Sequence, residues 1–269
     1  MSLTATRESD QAKVIARDAE KSDGPYRCRG CNEVLTLKKG NIKVHHFAHK
    51  PPVTCSWGAG ETAQHLQAKM AIYDALKSDP NVSAVTVEEP LGGLAVADVY
   101  AVISGYPVAI EVQRSKLTQA HIAHRSANYH RMGIHVLWLA LQSDGLNTAK
   151  YSPSAWEKWC HYAYFGRVYY WSSGQTVIPY HLGEHMLHVP MSTWYESGGY
   201  ENSAGGYDKP SRRWRTPLAG VPVLIGSHFR PKRRTASRSK TIDVPECSLY
   251  SDGQPVWWER RPRVTNAGQ

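Results

Sequence analysis

No run of eighteen apolar residues occurs in the chain, which excludes an ordinary transmembrane helix. The opening stretch, MSLTATRESDQAKVIARDAEKSDG, has no apolar core of the kind a secretory signal needs, so a cytoplasmic location is expected. Cysteine is scarce and odd in number, with Cys28, Cys31, Cys55, Cys160 and Cys247 making five, which argues against a disulfide framework. Acid is short as well. Only 23 Asp and Glu stand against 32 Lys and Arg, giving a net charge of +9 and a pI near 9.3. No internal repeat interrupts the 269 residues. What is present has an ordinary globular composition, 41% hydrophobic and 20% charged. The basic balance favours a polyanionic partner, of which nucleic acid is the commonest.

The character of the chain changes along its length. Residues 1–24 are polar and predict a short helix or a loose segment. Residues 25–58 are dense in Cys, His, Gly and Lys. Residues 59–145 carry the clearest periodicities. Leu66, Met70 and Tyr73 repeat at helical spacing within 60–78, and valine-rich or alternating runs predict strands at 81–89, 94–103 and 106–113. A second helix is expected over 118–131. The apolar run GIHVLWLAL then reads as a strand buried on both faces. The order α-β-β-β-α-β is a compact α/β core. Residues 146–195 are rich in Trp and Tyr and predict a helix at about 153–165, then short strands to about 180. In 196–269, residues 196–211 read as a flexible loop and the remainder as a basic tail.

Asp98 and the run Glu111-Val112-Gln113 form the first candidate site. Strand alternation puts Glu111 and Gln113 on one side and Val112 on the other. The turn at Ser104-Gly105 brings Asp98 back toward Glu111. Two carboxylates so placed make a hard-oxygen site for magnesium or manganese, a cation able to activate water and offset charge on a scissile phosphate. Gln113 would orient the water or the phosphate. Two solvent-facing acids are the plainer alternative, but the apolar run VAIEV half-buries them, and a half-buried carboxylate needs a partner or a metal. Glu61, His65 and Lys69 lie at i, i+4 and i+8 on one helical face. Glu61 is a further metal ligand there and His65 an acid, base or phosphate contact; a solvated face with internal contacts competes. His121, Arg125 and Tyr129 repeat this spacing on the second helix, with Arg125 suited to phosphate through its planar fork.

Cys28-x-x-Cys31, followed by His45, His46, His49 and Cys55, has the spacing of a structural zinc site. The expected ligands are Cys28, Cys31, His49 and Cys55, with His46 the rival to Cys55. A redox Cys-x-x-Cys competes, but no helix opens at the motif. Residues 209–240 hold ten Lys or Arg and no acid. Arg212, Arg213, Arg215, Lys232, Arg233 and Arg234, interleaved with Trp214 and Phe229, suit a nucleic-acid backbone with stacked bases. A solvated tail is the alternative.

Taken in order, several elements resemble the competence protein CoiA-like family across residues 26–141. They are Cys-x-x-Cys, Lys-Val-His-His-Phe-Ala-His, Cys55, Glu-Thr-x-x-His-Leu-x-x-Lys, Ala97-Asp98-Val99, Ile110-Glu111-Val112-Gln113-x-Ser115, Arg125-x-x-x-Tyr129 and Val136-Leu137-Trp138-Leu139. The resemblance implies a zinc-finger-like module in front of a PD-(D/E)xK restriction-endonuclease-like core. By resemblance Asp98 and Glu111 are the core acidic pair and Gln113 stands where a lysine is commoner. Glu61 is the helix-borne acid, joined by His65 and Lys69, while Arg125 and Tyr129 belong to the second helix. The implied activity is a magnesium- or manganese-dependent deoxyribonuclease serving DNA uptake in competence, recombination, repair or defence, with zinc structural. Two other readings stand beside it. One is a non-catalytic nucleic-acid-binding protein on a nuclease fold. The other is an accessory factor whose aromatic C-terminal half docks a recombination or helicase protein.

Overall fold

The computed structural model describes residues 1–55, 57, 61–113 and 117–259. Ser115, the expected boundary at 58 and 59, and the last ten residues of the basic tail fall outside them.

The N-terminal residues form a small antiparallel sheet from β1 (Thr4–Arg7), β2 (Lys13–Ile15), β3 (Tyr26–Arg27), β4 (Val34–Lys38) and β5 (His46–His49), in the order β2-β1-β3-β4-β5. Residues 1–24, expected as a short helix or a loose segment, instead form two strands and turns, with one short 3-10 turn at Lys21–Asp23. Their β-branched residues Thr4, Thr6, Val14 and Ile15 favour a pleated surface. Ala5 and Ala16 drop into a core with Tyr26, Leu35, Leu37 and Phe47.

Next comes the expected helix–strand series: α1 (Ala63–Lys77), β6 (Val82–Leu91), β7 (Ala95–Ile103), β8 (Tyr106–Gln113), α2 (Gln119–Arg131) and β9 (His135–Leu141). Thr62 and Thr118 cap the two helices by accepting the backbone N–H groups of His65 and His121. Ser104 and Gly105 both take positive φ, as a two-residue hairpin turn demands. Strands β6, β7 and β8 are antiparallel, and α2 is the crossover that sets β9 parallel to β8. Val136, Leu137, Trp138, Leu139 and Ala140 are all buried, the signature of a strand covered on both faces.

The remaining chain extends this sheet. It holds α3 (Ala155–Ala163), β10 (Val168–Ser173), β11 (Thr176–Val189), β12 (Ser192–Tyr195), β13 (Glu201–Ala204), β14 (Tyr207–Ala219), β15 (Val223–Leu224), α4 (Ile225–His228), β16 (Phe229–Arg234), β17 (Ser237–Arg238), β18 (Asp243–Val244) and β19 (Cys247–Asp252). The order is β14-β11-β10-β9-β8-β7-β6, with β15 on β11 and β16 on β19, which also meets β9. The expected loop at 196–211 is instead largely strand. Gly199, Gly205 and Gly206 take the positive-φ positions, and the residues between them extend into an exposed ribbon. The basic tail is also no loose appendage. Phe229, Val244, Cys247, Leu249 and Tyr250 are core residues, beside the buried Trp156, Trp159, Tyr164, Tyr169 and Tyr170 of the aromatic stretch. No helix among the described residues is long and apolar enough to cross a membrane.

Candidate active site

Strands β7 and β8 pair from Ile103–Tyr106 to Val99–Ile110, where their ladder ends although both strands continue. Asp98 and Glu111 are the next residues on each strand, where the two part. The Val112 N–H donates to Asp98 Oδ2 at 2.9 Å. His65 and Lys69 stand one turn apart on one face of α1, whereas Glu61, expected on that same helical face, precedes the cap Thr62 and reaches them from the incoming chain. His65 Nε2 lies 3.3 Å from Asp98 Oδ2, and its Nδ1 lies 2.5 Å from Glu61 Oε2. Lys69 Nζ donates to Glu61 Oε1 at 2.9 Å, Glu88 Oε1 at 3.1 Å and Asp98 Oδ1 at 3.2 Å. The lysine is only 1% exposed, so its ammonium is held by carboxylates in place of water.

The charges reinforce one another. Burial works to raise the Asp98 carboxyl, but Lys69 and then His65 outweigh it and hold it well below the usual range. Burial likewise disfavours the His65 cation, yet Asp98 and Glu61 carry it up to about 9. The donor atoms of Glu61, His65 and Asp98 lie within 4.8 Å of one another, a group able to hold a metal ion. Carboxylate oxygens suit a hard cation and an imidazole a borderline one, so the donor set is that of a divalent metal.

Glu111 has a different setting from the one its spacing predicts. It is 1% exposed and bound to α2, with Arg125 Nη2 at 2.5 Å and the Tyr129 hydroxyl also donating to Oε1. Burial pushes its carboxyl up to about 7 against the pull of Arg125, with Asp98 adding to the rise. Among the described residues it is not in the group with Glu61, His65 and Asp98. Tyr129 is fully buried and Lys69 nearly so, so both serve carboxylates and neither offers its head group to a ligand in solvent. Arg125 keeps one side toward a cavity of about 950 Å³, which Gln113, His121, Asp98 and His65 also line. The cavity adds His124, Asn128 and Trp57, which sequence reasoning did not single out. His124 and Asn128 are one helical turn apart and hydrogen-bonded at 3.3 Å, a pairing that the i, i+4 rule would have found.

The cavity lining also includes Cys31 and Cys55 of the N-terminal module. Cys28 Sγ is 3.8 Å from Cys55 Sγ, and Cys31 Sγ is 3.3 Å from His49 Nε2. All four donors fall within 4.8 Å, so this cluster could hold a zinc ion. Gly30 N–H and Trp57 N–H each donate to a cysteine sulfur at 3.3 Å. Burial raises the Cys28 thiol to about 11, whereas a backbone hydrogen bond from Glu33 helps bring Cys31 down to about 7. His46 lies outside the group. Three residues apart on β5, His46 and His49 point to opposite faces, and His46 Nδ1 sits 2.9 Å from the Val44 carbonyl.

The six basic residues of the C-terminal half do not line the cavity. Arg212 and Arg213 are exposed on β14. Arg215 bonds the carbonyls of Ser211 and Trp214. Lys232 and Arg234 sit over the Phe165 ring, and Arg233 pairs with Glu246.

The family model for the competence protein CoiA N-terminal domain matches residues 9–58, and that for the competence protein CoiA nuclease-like domain matches residues 61–180. No curated protein and no solved structure matches the chain. With both matches in series and covering more than half of its length, the chain belongs to the competence protein CoiA family, an N-terminal domain followed by a nuclease-like one.

Proposed function

We propose that the protein is a metal-dependent nuclease of the PD-(D/E)xK type that cleaves DNA. The observation that carries this reading is the gathering of Glu61, His65 and Asp98 on the wall of one large cavity, where two strands part. Magnesium or manganese held there would act as a Lewis acid, lowering the pKa of a bound water and offsetting phosphate charge. The chain's own residues do the rest. Asp98 is fixed by the Val112 N–H, and Lys69 helps keep its carboxyl ionised. Arg125 is anchored on Glu111 and on the Val96 carbonyl at 3.1 Å, so its guanidinium is pre-set toward a phosphate in the cavity. Glu111 orients Arg125 in this scheme. Gln113 contributes a neutral amide to water or phosphate. The exposed Arg212 and Arg213 extend the contact to the DNA backbone beyond the site. Zinc in the Cys28, Cys31, His49, Cys55 cluster is structural, because four protein ligands leave no open position.

A second reading has its own support. His65 and Lys69 already neutralise the carboxylates, and position 113 carries no cation, which is what a DNA-binding protein without hydrolysis would show. Cleavage of labelled single- and double-stranded DNA with magnesium, manganese or EDTA, for the wild type and Asp98→Asn, separates them. Divalent-dependent cutting lost in the variant is the expected result. Salt-sensitive binding with no cutting in any metal supports the second reading, and cutting that survives in Asp98→Asn refutes the site.

A further inference from the structure

Glu88, in β6, is 4% exposed and holds a φ of 48°, a backbone conformation that non-glycine residues rarely adopt. Its carboxylate collects the first strand of the chain. Leu3 N–H donates at 2.9 Å, Thr4 N–H at 2.9 Å and Thr4 Oγ1 at 2.8 Å, and Ser2 Oγ lies 2.9 Å away. The same carboxylate takes Lys69 Nζ at 3.1 Å. Its backbone carbonyl accepts from Arg29 at 2.7 Å, and Arg29 sits between Cys28 and Cys31. The Arg29 guanidinium lies over the Trp57 ring, whose Nε1 donates to Ser2 Oγ at 3.4 Å. One residue therefore joins the N-terminal segment and the buried ammonium of the cation site through its side chain, and the cysteine knuckle through its backbone carbonyl.

We propose that Glu88 is a positioning residue that couples the N-terminal Cys/His module to the cation site by taking a share of Lys69. The inference rests on the reading that Glu61, His65 and Asp98 take a divalent cation. Three carboxylates divide one ammonium. While Glu88 holds part of that charge, Asp98 and Glu61 keep charge to offer a cation. With Glu88 neutral, Lys69 gives its whole charge to Asp98 and Glu61 and competes with the cation. The hydrogen bonds from residues 2–4 set where Glu88 stands, so the module has to be docked for the site to bind metal well. A tie that only held β1 to β6 would affect stability and leave cation affinity alone.

The test uses the full chain and Mn²⁺ as probe, with calorimetric binding for wild type, Glu88→Gln, Glu88→Asp and the control Asp98→Asn, which marks binding at this site. Amide exchange is followed over residues 2–4 and 63–77. Glu88→Gln should weaken Mn²⁺ binding about tenfold, within the usual range of coupling between sites. Glu88→Asp should recover part of the loss, and exchange should quicken in both segments. Unchanged Mn²⁺ affinity in a folded Glu88→Gln protein overturns the coupling, as does exchange that quickens at 2–4 alone. If Glu88→Gln does not fold, Ser2→Ala with Thr4→Val removes the two hydroxyls and keeps the carboxylate. A smaller weakening in the same direction is then expected, and no change overturns the proposal. A wild type that binds Mn²⁺ yet never cuts DNA retires the nuclease reading and leaves the coupling intact. A wild type that binds no Mn²⁺ overturns the coupling together with the cation site.

Discussion

Lys69 shows at the scale of a single residue how the candidate site depends on charge balance. Its ammonium is shut off from water and shared by Glu61, Glu88 and Asp98. Removing one partner of a buried ionic cluster leaves the others uncompensated. Lys69→Met should therefore cost about 3–5 kcal/mol in chemical denaturation, and a loss under 1 kcal/mol would show that water reaches the carboxylates. His65 and Lys69 were legible in the sequence because a helix repeats its face every four residues, and Glu61 joins them from just before the cap. Asp98 was legible because a hairpin turn fixes which residues meet. Glu88 was not, because its partners lie 84 to 86 residues away at Ser2, Leu3 and Thr4 and no local period links them. The setting of Glu111 was hidden for a related reason. Its place on the strand is local information, but Arg125 and Tyr129 reach it from the following helix.

At the scale of elements, strand alternation decides what spacing alone leaves open. On β5, Phe47 enters the core and His49 shares its face, while His46 takes the other. His49→Ala should accordingly lose zinc, measured as metal content or as the visible bands of a cobalt-substituted protein, and His46→Ala should retain it. The packing of α3 against β11 carries a pH dependence. His161 Nε2 and His181 Nδ1 lie 3.2 Å apart, and His181 stacks on Trp258. Burial, then the neighbouring His181 and Arg215, holds His161 down to about 4, and burial lowers His181 too. Unfolded imidazoles take up protons near pH 6.5, so the unfolded state binds more of them as pH falls from there toward 4. The stabilisation is fully present above 6.5 and is lost across that window. The urea midpoint should fall over it with a change in tryptophan fluorescence, and His161→Gln should flatten the slope. The largely exposed strands at 201–204 and 207–219 escaped sequence reasoning because a ribbon with so few buried positions shows no apolar alternation.

At the scale of the whole molecule, the C-terminal half cannot be separated from the nuclease-like core. Leu249 of β19 pairs with Val136 of β9, and Phe229 and Tyr250 are buried in the same core. Ending the chain at residue 245 should therefore give a protein open to limited proteolysis throughout. Removing the ribbon tip, residues 190–206, should leave the fold and divalent-dependent cutting of short substrates in place. A truncated chain that stayed folded and active would make the tail a separate unit. The aromatic stretch read as a docking surface on composition alone, because sequence cannot say whether Trp and Tyr face a partner or the chain's own strands.

The position of β19 on β9 also bears on how the protein is made. A ribosome has produced every side chain of the candidate site by Arg125. The partner of Val136 in the strand beneath is among the last described residues to emerge. The carboxylates of the candidate site are thus translated well before the strand that pairs with β9. A core closed by so distant a pairing forms only once both segments are available, so refolding should be slower than for a fold built from local contacts.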